Sequence, residues 1–229
     1  LAKVLRTDMA DFAIVPLDSL VSSAKGDPEW MKRSPFIARL PPETLAVIAP
    51  REVKSINDGW AHIAYEVKGS STQTKALDRL AQQAALLVKK YPGRAEPLVW
   101  QGIVTSEQAN RANFFHKLGL ANQARDILAK AYSIDPKAAD GGAAMSLGVL
   151  YYKVPGSPLG FGDKARAKRL LKEALAVDPN GLDANYFYGD YLYDQGDNNG
   201  ATSYLQKAWR APPDPSPRRI SRASNGFNS

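Results

Sequence analysis

The chain has no cysteine among its 229 residues. Disulfides, thiolate zinc sites and thiol nucleophiles are therefore excluded. Histidine is almost as scarce, with only His62 and His116, and they lie far apart. A helical zinc site needs paired ligands, such as two histidines four residues apart. No metal site or cofactor is expected. Long apolar runs are missing too: nothing reaches the roughly 18 uninterrupted apolar residues of a membrane-crossing helix. The Gly-x-Ser-x-Gly elbow and the Walker loop are absent, so no motif supports an enzyme.

Charge is present but dispersed. The 30 basic and 23 acidic side chains leave a net charge of +7. The densest basic clusters are Lys164, Arg166, Lys168, Arg169 and Lys172, and then Arg218, Arg219 and Arg222. Apolar positions interrupt the first cluster, which reads as the solvated outer face of a helix, with an anion or partner patch as the alternative. No basic motif interleaved with aromatics is found, so no nucleic-acid partner is expected.

What the chain does have is repetition. Ala124-x3-Leu128-x2-Ala131-x4-Pro136 recurs as Ala167-x3-Leu171-x2-Ala174-x4-Pro179 and as Ala201-x3-Leu205-x2-Ala208-x4-Pro213. Each copy has a glycine upstream, at Gly102, Gly148 and Gly189. This is the tetratricopeptide pattern: small and large residues alternate so that two antiparallel helices can close on each other, and proline stops the second. Pro179 and Pro213 are 34 residues apart and Gly189 and Ala201 are 12 apart, which is the standard spacing. Gly148 and Ala167 are 19 apart and Gly102 and Ala124 are 22 apart. Two repeats are therefore expected to carry insertions at the turn between their helices.

The spacing predicts helices at 95–110, 117–134, 141–153, 163–177, 182–195 and 198–210. A degenerate first pair lies in 57–91. There Trp60, Ile63, Ala64 and Val67 share one face, and Leu77, Leu80, Ala81, Ala84, Leu87 and Val88 share another. The glycines at 156, 160 and 162 read as turn formers, since Asp163 sits where a helix N-cap belongs. His116 reads as packed inside the first insertion. The fold class is all-α: a tetratricopeptide-like α-solenoid of about four helix pairs. Residues 1–56, with six prolines, read as an irregular N-terminal extension that caps the array. Residues 57–210 form the array, and the Pro-, Arg- and Ser-rich tail from 211 reads as extended.

The runs Ser146–Asp163 and Asp178–Leu192 are more specific than the general repeat. Over roughly residues 75–213 the chain resembles a proteobacterial family of envelope tetratricopeptide proteins, related to the T component of tripartite ATP-independent periplasmic transporters. The resemblance implies a non-enzymatic periplasmic protein that works beside a solute-binding protein. A lipid anchor on a cysteine preceding Leu1 would tie it to the outer membrane. In this fold the glycine-bearing helices line the concave surface. Its exposed positions would be Val99, Ile103 and Ser106, then Met145, Val149 and Tyr152, then Tyr186, Asp190 and Tyr193. Phe161, Phe114 and Phe115 from the insertions would close over it. That mainly apolar row suggests a hydrophobic small molecule, lipid- or sterol-like, carried in the groove. The alternative is a protein-interaction scaffold whose groove takes a peptide, a solute-binding protein, the chain's own N-terminal segment or a second copy as a homo-oligomer.

Overall fold

The computed structural model describes residues 42–211, and for 42–50, Tyr65, Phe114 and Phe115 it describes the backbone alone. The chain divides into two compact units, Leu1–Ile48 and Ala49–Ser229. Of the first, only residues 42–48 are described, and they are helical. The expected cap formed by residues 1–41, and the tail beyond residue 211, lie outside the described residues.

Among the described residues eight helices follow in order: α1 Pro42–Tyr65, α2 Ser70–Lys90, α3 Ala95–Arg111, α4 Phe114–Ile134, α5 Ala138–Lys153, α6 Lys164–Val177, α7 Leu182–Asp194 and α8 Asn198–Arg210. No strand occurs among the described residues. A bridge joins Gly156 to Gly162.

The repeat code explains how the helices pair. A Cβ added at Gly148 would lie 2.7 Å from Leu171 Cγ, and one at Gly189 would lie 2.9 Å from Leu205 Cγ. At Gly102 the same atom would run into Leu128. Each glycine is thus the seat for a leucine of the following helix. The alanines at 124, 131, 167, 174, 201 and 208 are all buried beside these seats. Close approach of two backbones requires residues this small, and a larger side chain would force the pair apart. Together α3/α4, α5/α6 and α7/α8 form hairpins, while the first helices α3, α5 and α7 pack on one another in sequence. Their main core contains Leu147, Leu150, Leu170, Leu171, Tyr188 and Leu192.

The pair α1/α2 repeats the arrangement with a glycine that the spacing rule passed over. Gly59 faces Leu80 Cδ1, 2.9 Å from its would-be Cβ. Lys90 Nζ pairs with Glu52 at 2.5 Å across the same two helices, and Trp60 lies against Trp100 of α3 with ring centroids 6.5 Å apart.

Side-chain caps start three of the later helices. Asn113 accepts from the His116 amide at 3.2 Å, Asp163 from Arg166 at 2.9 Å and Asp197 from Gly200 at 2.8 Å. Each satisfies an amide that the first turn leaves without a partner.

Several expectations are corrected. Residues 42–56 are not irregular: α1 begins at Pro42 and continues through Pro50, so the expected boundary at 56 falls inside a helix. Proline is well accommodated at a first helical position, and one internal proline did not stop this helix.

The first insertion is not a loop. Its extra residues lengthen α3 and α4, which are joined by Ala112 and Asn113 alone. Between Gly102 and Asn113 no proline or glycine interrupts good helix formers. His116 is exposed and its Nδ1 lies 2.8 Å from Asn113 Oδ1, as part of the cap rather than packed inside.

The second insertion is a true loop, Val154–Asp163. Gly162 N donates to Pro155 O at 2.9 Å and Asp163 N to Tyr151 O at 2.8 Å. The glycines at 160 and 162 lie so close to the Val154–Pro155 backbone that a side chain would collide with it. Within the first turn of α5 the chain passes through three consecutive left-handed residues, Ala139, Asp140 and Gly141, with φ of 51°, 53° and 78°, and the regular helix runs from there. The class is that of a tetratricopeptide-like helical solenoid.

Candidate functional site

The face lined by α3, α5 and α7 is the natural place for a site, and α7 supplies most of its exposed chemistry. On α7, Asp183, Tyr186, Asp190, Tyr193 and Asp194 fall at spacings that place them along one side of a helix. The helix carries three aspartates and no lysine or arginine. Tyr186 is 41% exposed and Tyr193 is 66% exposed.

Between the two tyrosines sits Asp190, held from the neighbouring helix. Tyr152 of α5 donates its hydroxyl to Asp190 Oδ2 at 2.5 Å. Lys153 Nζ reaches the same oxygen at 2.9 Å, and its ammonium also lies 4.7 Å from the centre of the Tyr152 ring. Below them Tyr191 meets the Tyr152 ring edge-on, with centroids 5.5 Å apart. Burial first, and then the Asp190 carboxylate, push the Tyr152 hydroxyl far above the usual phenol range. It therefore stays a donor, and its hydrogen bond aims Asp190. At the end of α7, Asp194 Oδ2 lies 3.5 Å from Lys164 Nζ.

The residues expected on this face divide into three groups. Tyr186, Asp190 and Tyr193 are brought together on α7. Met145 and Val149 of α5 are half-buried and pack against the main core, while Ile103 and Ser106 of α3 are half-buried, the serine Oγ donating to Ile103 O at 2.8 Å.

Val99 and Tyr152 are not open positions. Val99 is fully buried because Gly142, at the start of α5, lies over it: a Cβ there would be 3.1 Å from Val99 Cγ1. Tyr152 is buried, and its hydroxyl is taken up by Asp190.

Phe161 does not close over this face. It meets Tyr151 edge-on at 5.6 Å, and the Arg125 guanidinium lies 4.7 Å above its ring. Arg166 lies 4.5 Å over Tyr151. Two cations stacked on two rings hold the α5–α6 loop against the hairpin. For Phe114 and Phe115 the structure describes only the backbone, which forms the first turn of α4.

Lys153 and Asp194 were missed. Each follows a predicted position, Tyr152 or Tyr193, by one residue, so a stripe drawn one residue wider would have included both.

The basic cluster occupies α6. Lys168, Arg169 and Lys172, with Ala165, Glu173 and Ala176, line a shallow open depression along that helix. Glu173 accepts from Tyr132 of α4 at 2.6 Å. That bond, more than burial, raises the Tyr132 hydroxyl above its ordinary value. Among the described residues no group of three or more His, Asp or Glu could hold a metal, and no helix is long and apolar enough to cross a membrane.

This geometry belongs to the class of helical-repeat proteins, and comparison agrees. The tetratricopeptide repeat family model matches residues 159–220, which take in α6, α7 and α8. Among solved structures the chain is similar to TTC0263, a thermophilic tetratricopeptide protein of Thermus thermophilus. The likeness is 19% identity over 64% of this chain and 72% of that one, with a TM-score of 0.52. A structure titled MamA MSR-1 C2 aligns at 15% identity over 69% of this chain and 94% of that one, with a TM-score of 0.40. No curated protein matches the chain. At such identities the likeness to TTC0263 carries the fold alone.

Proposed function

We propose that this chain is a protein-interaction scaffold that takes an extended peptide along the face of α5 and α7. The observation that carries the reading is the Tyr186–Asp190–Tyr193 strip. Its two exposed rings flank a carboxylate that Tyr152 and Lys153 hold in place. Rings of this kind give a ligand a large contact area at little entropic cost, and a fixed carboxylate gives it register. The fold supports the same reading, since stacked helix pairs present long surfaces for other chains.

The apolar-carrier reading has less support. Of its expected lining, Val99 and Tyr152 belong to the core, and Ile103, Met145 and Val149 are half-buried. A place in the bacterial envelope beside a solute-binding protein rests on the family resemblance, and cell fractionation checks it.

The test is a displayed random-peptide library panned on the full chain. The expected result is a family of related peptides whose binding falls at least tenfold, about 1.4 kcal/mol, on Tyr193→Ala and on Tyr186→Ala. Selection of no peptide, together with a lipid co-purifying in native mass spectrometry, would overturn the scaffold in favour of the carrier.

A further inference from the structure

The strip on α7 has a chemistry that the chain's own C-terminal segment complements. Residues 212–222 read Pro-Pro-Asp-Pro-Ser-Pro-Arg-Arg-Ile-Ser-Arg. They combine four prolines with Arg218, Arg219 and Arg222. Proline-rich stretches favour the extended polyproline helix, and such helices dock on exposed aromatic rings. The α7 strip offers two exposed tyrosines with Asp190 and Asp194 beside them, and no lysine or arginine lies on the same helix.

Lysines hold two of those carboxylates, and loosely. Lys153 on Asp190 and Lys164 on Asp194 have side chains 51% and 61% exposed. Pairs this open are weak. An arginine fork, which binds a carboxylate through two parallel hydrogen bonds, can replace a lysine there.

The path is short enough. α8 runs back along α7, with Leu205 on Gly189 and Tyr204 against Tyr188. Its last residue, Arg210, therefore returns to the level where α7 begins. From there a polyproline segment advances about 3 Å per residue, against about 1.5 Å along a helix. In that form Pro213 and Pro217 would stand about 12 Å apart, close to the rise of about 10.5 Å from Tyr186 to Tyr193, and Arg218 and Arg219 would follow within side-chain reach of Asp190 and Asp194.

We propose that residues 212–222 bind the α7 strip of the same molecule, laying their prolines on Tyr186 and Tyr193 and their arginines on Asp190 and Asp194. This rests on the scaffold reading, and it makes the segment a competitor for any peptide partner.

The test compares the full chain with its Arg218→Glu/Arg219→Glu form, whose changes lie outside every described helix. A fluorescent peptide of residues 211–224 is titrated into both. The altered chain should bind it at least about tenfold more tightly, because its own segment no longer competes for the strip. Adding Tyr193→Ala should abolish that gain, and raising salt should weaken the binding.

Equal affinity for both chains would overturn the proposal while leaving the scaffold reading standing. No binding to either would overturn it as well, with the library experiment then deciding the scaffold separately. A dimer formed by the full chain and lost in the double variant would assign the segment to a second copy and overturn the intramolecular form.

Discussion

The helix α7 has two sides that obey different rules. On one, Gly189 seats Leu205, and Tyr188 and Tyr191 stack with centroids 6.1 Å apart. On the other, Tyr186, Asp190 and Tyr193 stand toward solvent around one hydroxyl and one ammonium from α5. The first side repeats almost unchanged at Gly59, Gly102 and Gly148. The second has no copy: the matching positions after Gly148 are Val149 and Tyr152, and after Gly102 they are Ile103 and Ser106. Geometry dictates the seam, because two backbones can approach only where a side chain is missing. The outward positions are free of that demand, and so they can take on a ligand's chemistry.

The sharpest way to break this contrast is to damage a seam. Leu171 is fully buried over Gly148. Leu171→Ala should cost about 2–5 kcal/mol, read as a lower denaturant midpoint at unchanged slope. Filling the seat instead, with Gly148→Leu, should cost about 1–3 kcal/mol, since the new side chain starts 2.7 Å from Leu171 Cγ. A Gly148→Leu protein as stable as the parent would show that the helix phase assigned to α5 is wrong.

Tyr152→Phe probes the boundary between the two sides. It removes a hydrogen bond to a carboxylate that Lys153 still holds, and should cost about 1–2 kcal/mol. Its effect also depends on pH. The folded Tyr152 holds its proton far above the ordinary value, so the unfolded chain ionises first, near pH 10. Stability from this group is complete below that pH and falls as pH rises further. Burial raises Tyr188 and Tyr191 as well, so Tyr152→Phe should make the alkaline decline shallower without removing it. Chemical denaturation between pH 8 and 11 reads the slope.

The smallest expected change in stability is at the open strip. Tyr193→Ala should alter stability by less than about 0.5 kcal/mol, while it weakens peptide binding. A variant that unfolds the protein would place Tyr193 on the seam side.

The helices from α3 to α8 were legible because glycine, leucine and alanine mark the seams directly. The pair α1/α2 was half legible. Leu77, Leu80, Ala84 and Leu87 pointed to a buried stripe on α2, but Gly59 lay outside the counted spacing, and the prolines masked the start of α1.

Counting residues revealed two insertions without saying what form they take. The first became helix because it holds no proline and a single glycine, Gly119, and the second became a loop because prolines and glycines crowd it. Of the site, the three α7 residues were legible from their distance to Gly189. The burial of Val99 was not, because it depends on where the next hairpin starts, and that is set by the left-handed turn at 139–141. The place of Phe161 was hidden too, since it is decided by Arg125, a residue of a different hairpin.

The glycine seats have one more consequence, for the way the molecule comes apart. Each seat joins a helix to the next helix in the chain, so its two halves are never distant in sequence. Contacts so local favour rapid folding, and they let one hairpin open while its neighbours stay closed. Among the described hairpins, α7/α8 is the last and α8 buries only Ala201 and Ala208. Amide exchange should therefore run fastest in α8 and slowest in α5 and α6. The strip on α7 then lies beside the part of the array most ready to fray, where an arriving chain could be ordered together with the helix that receives it.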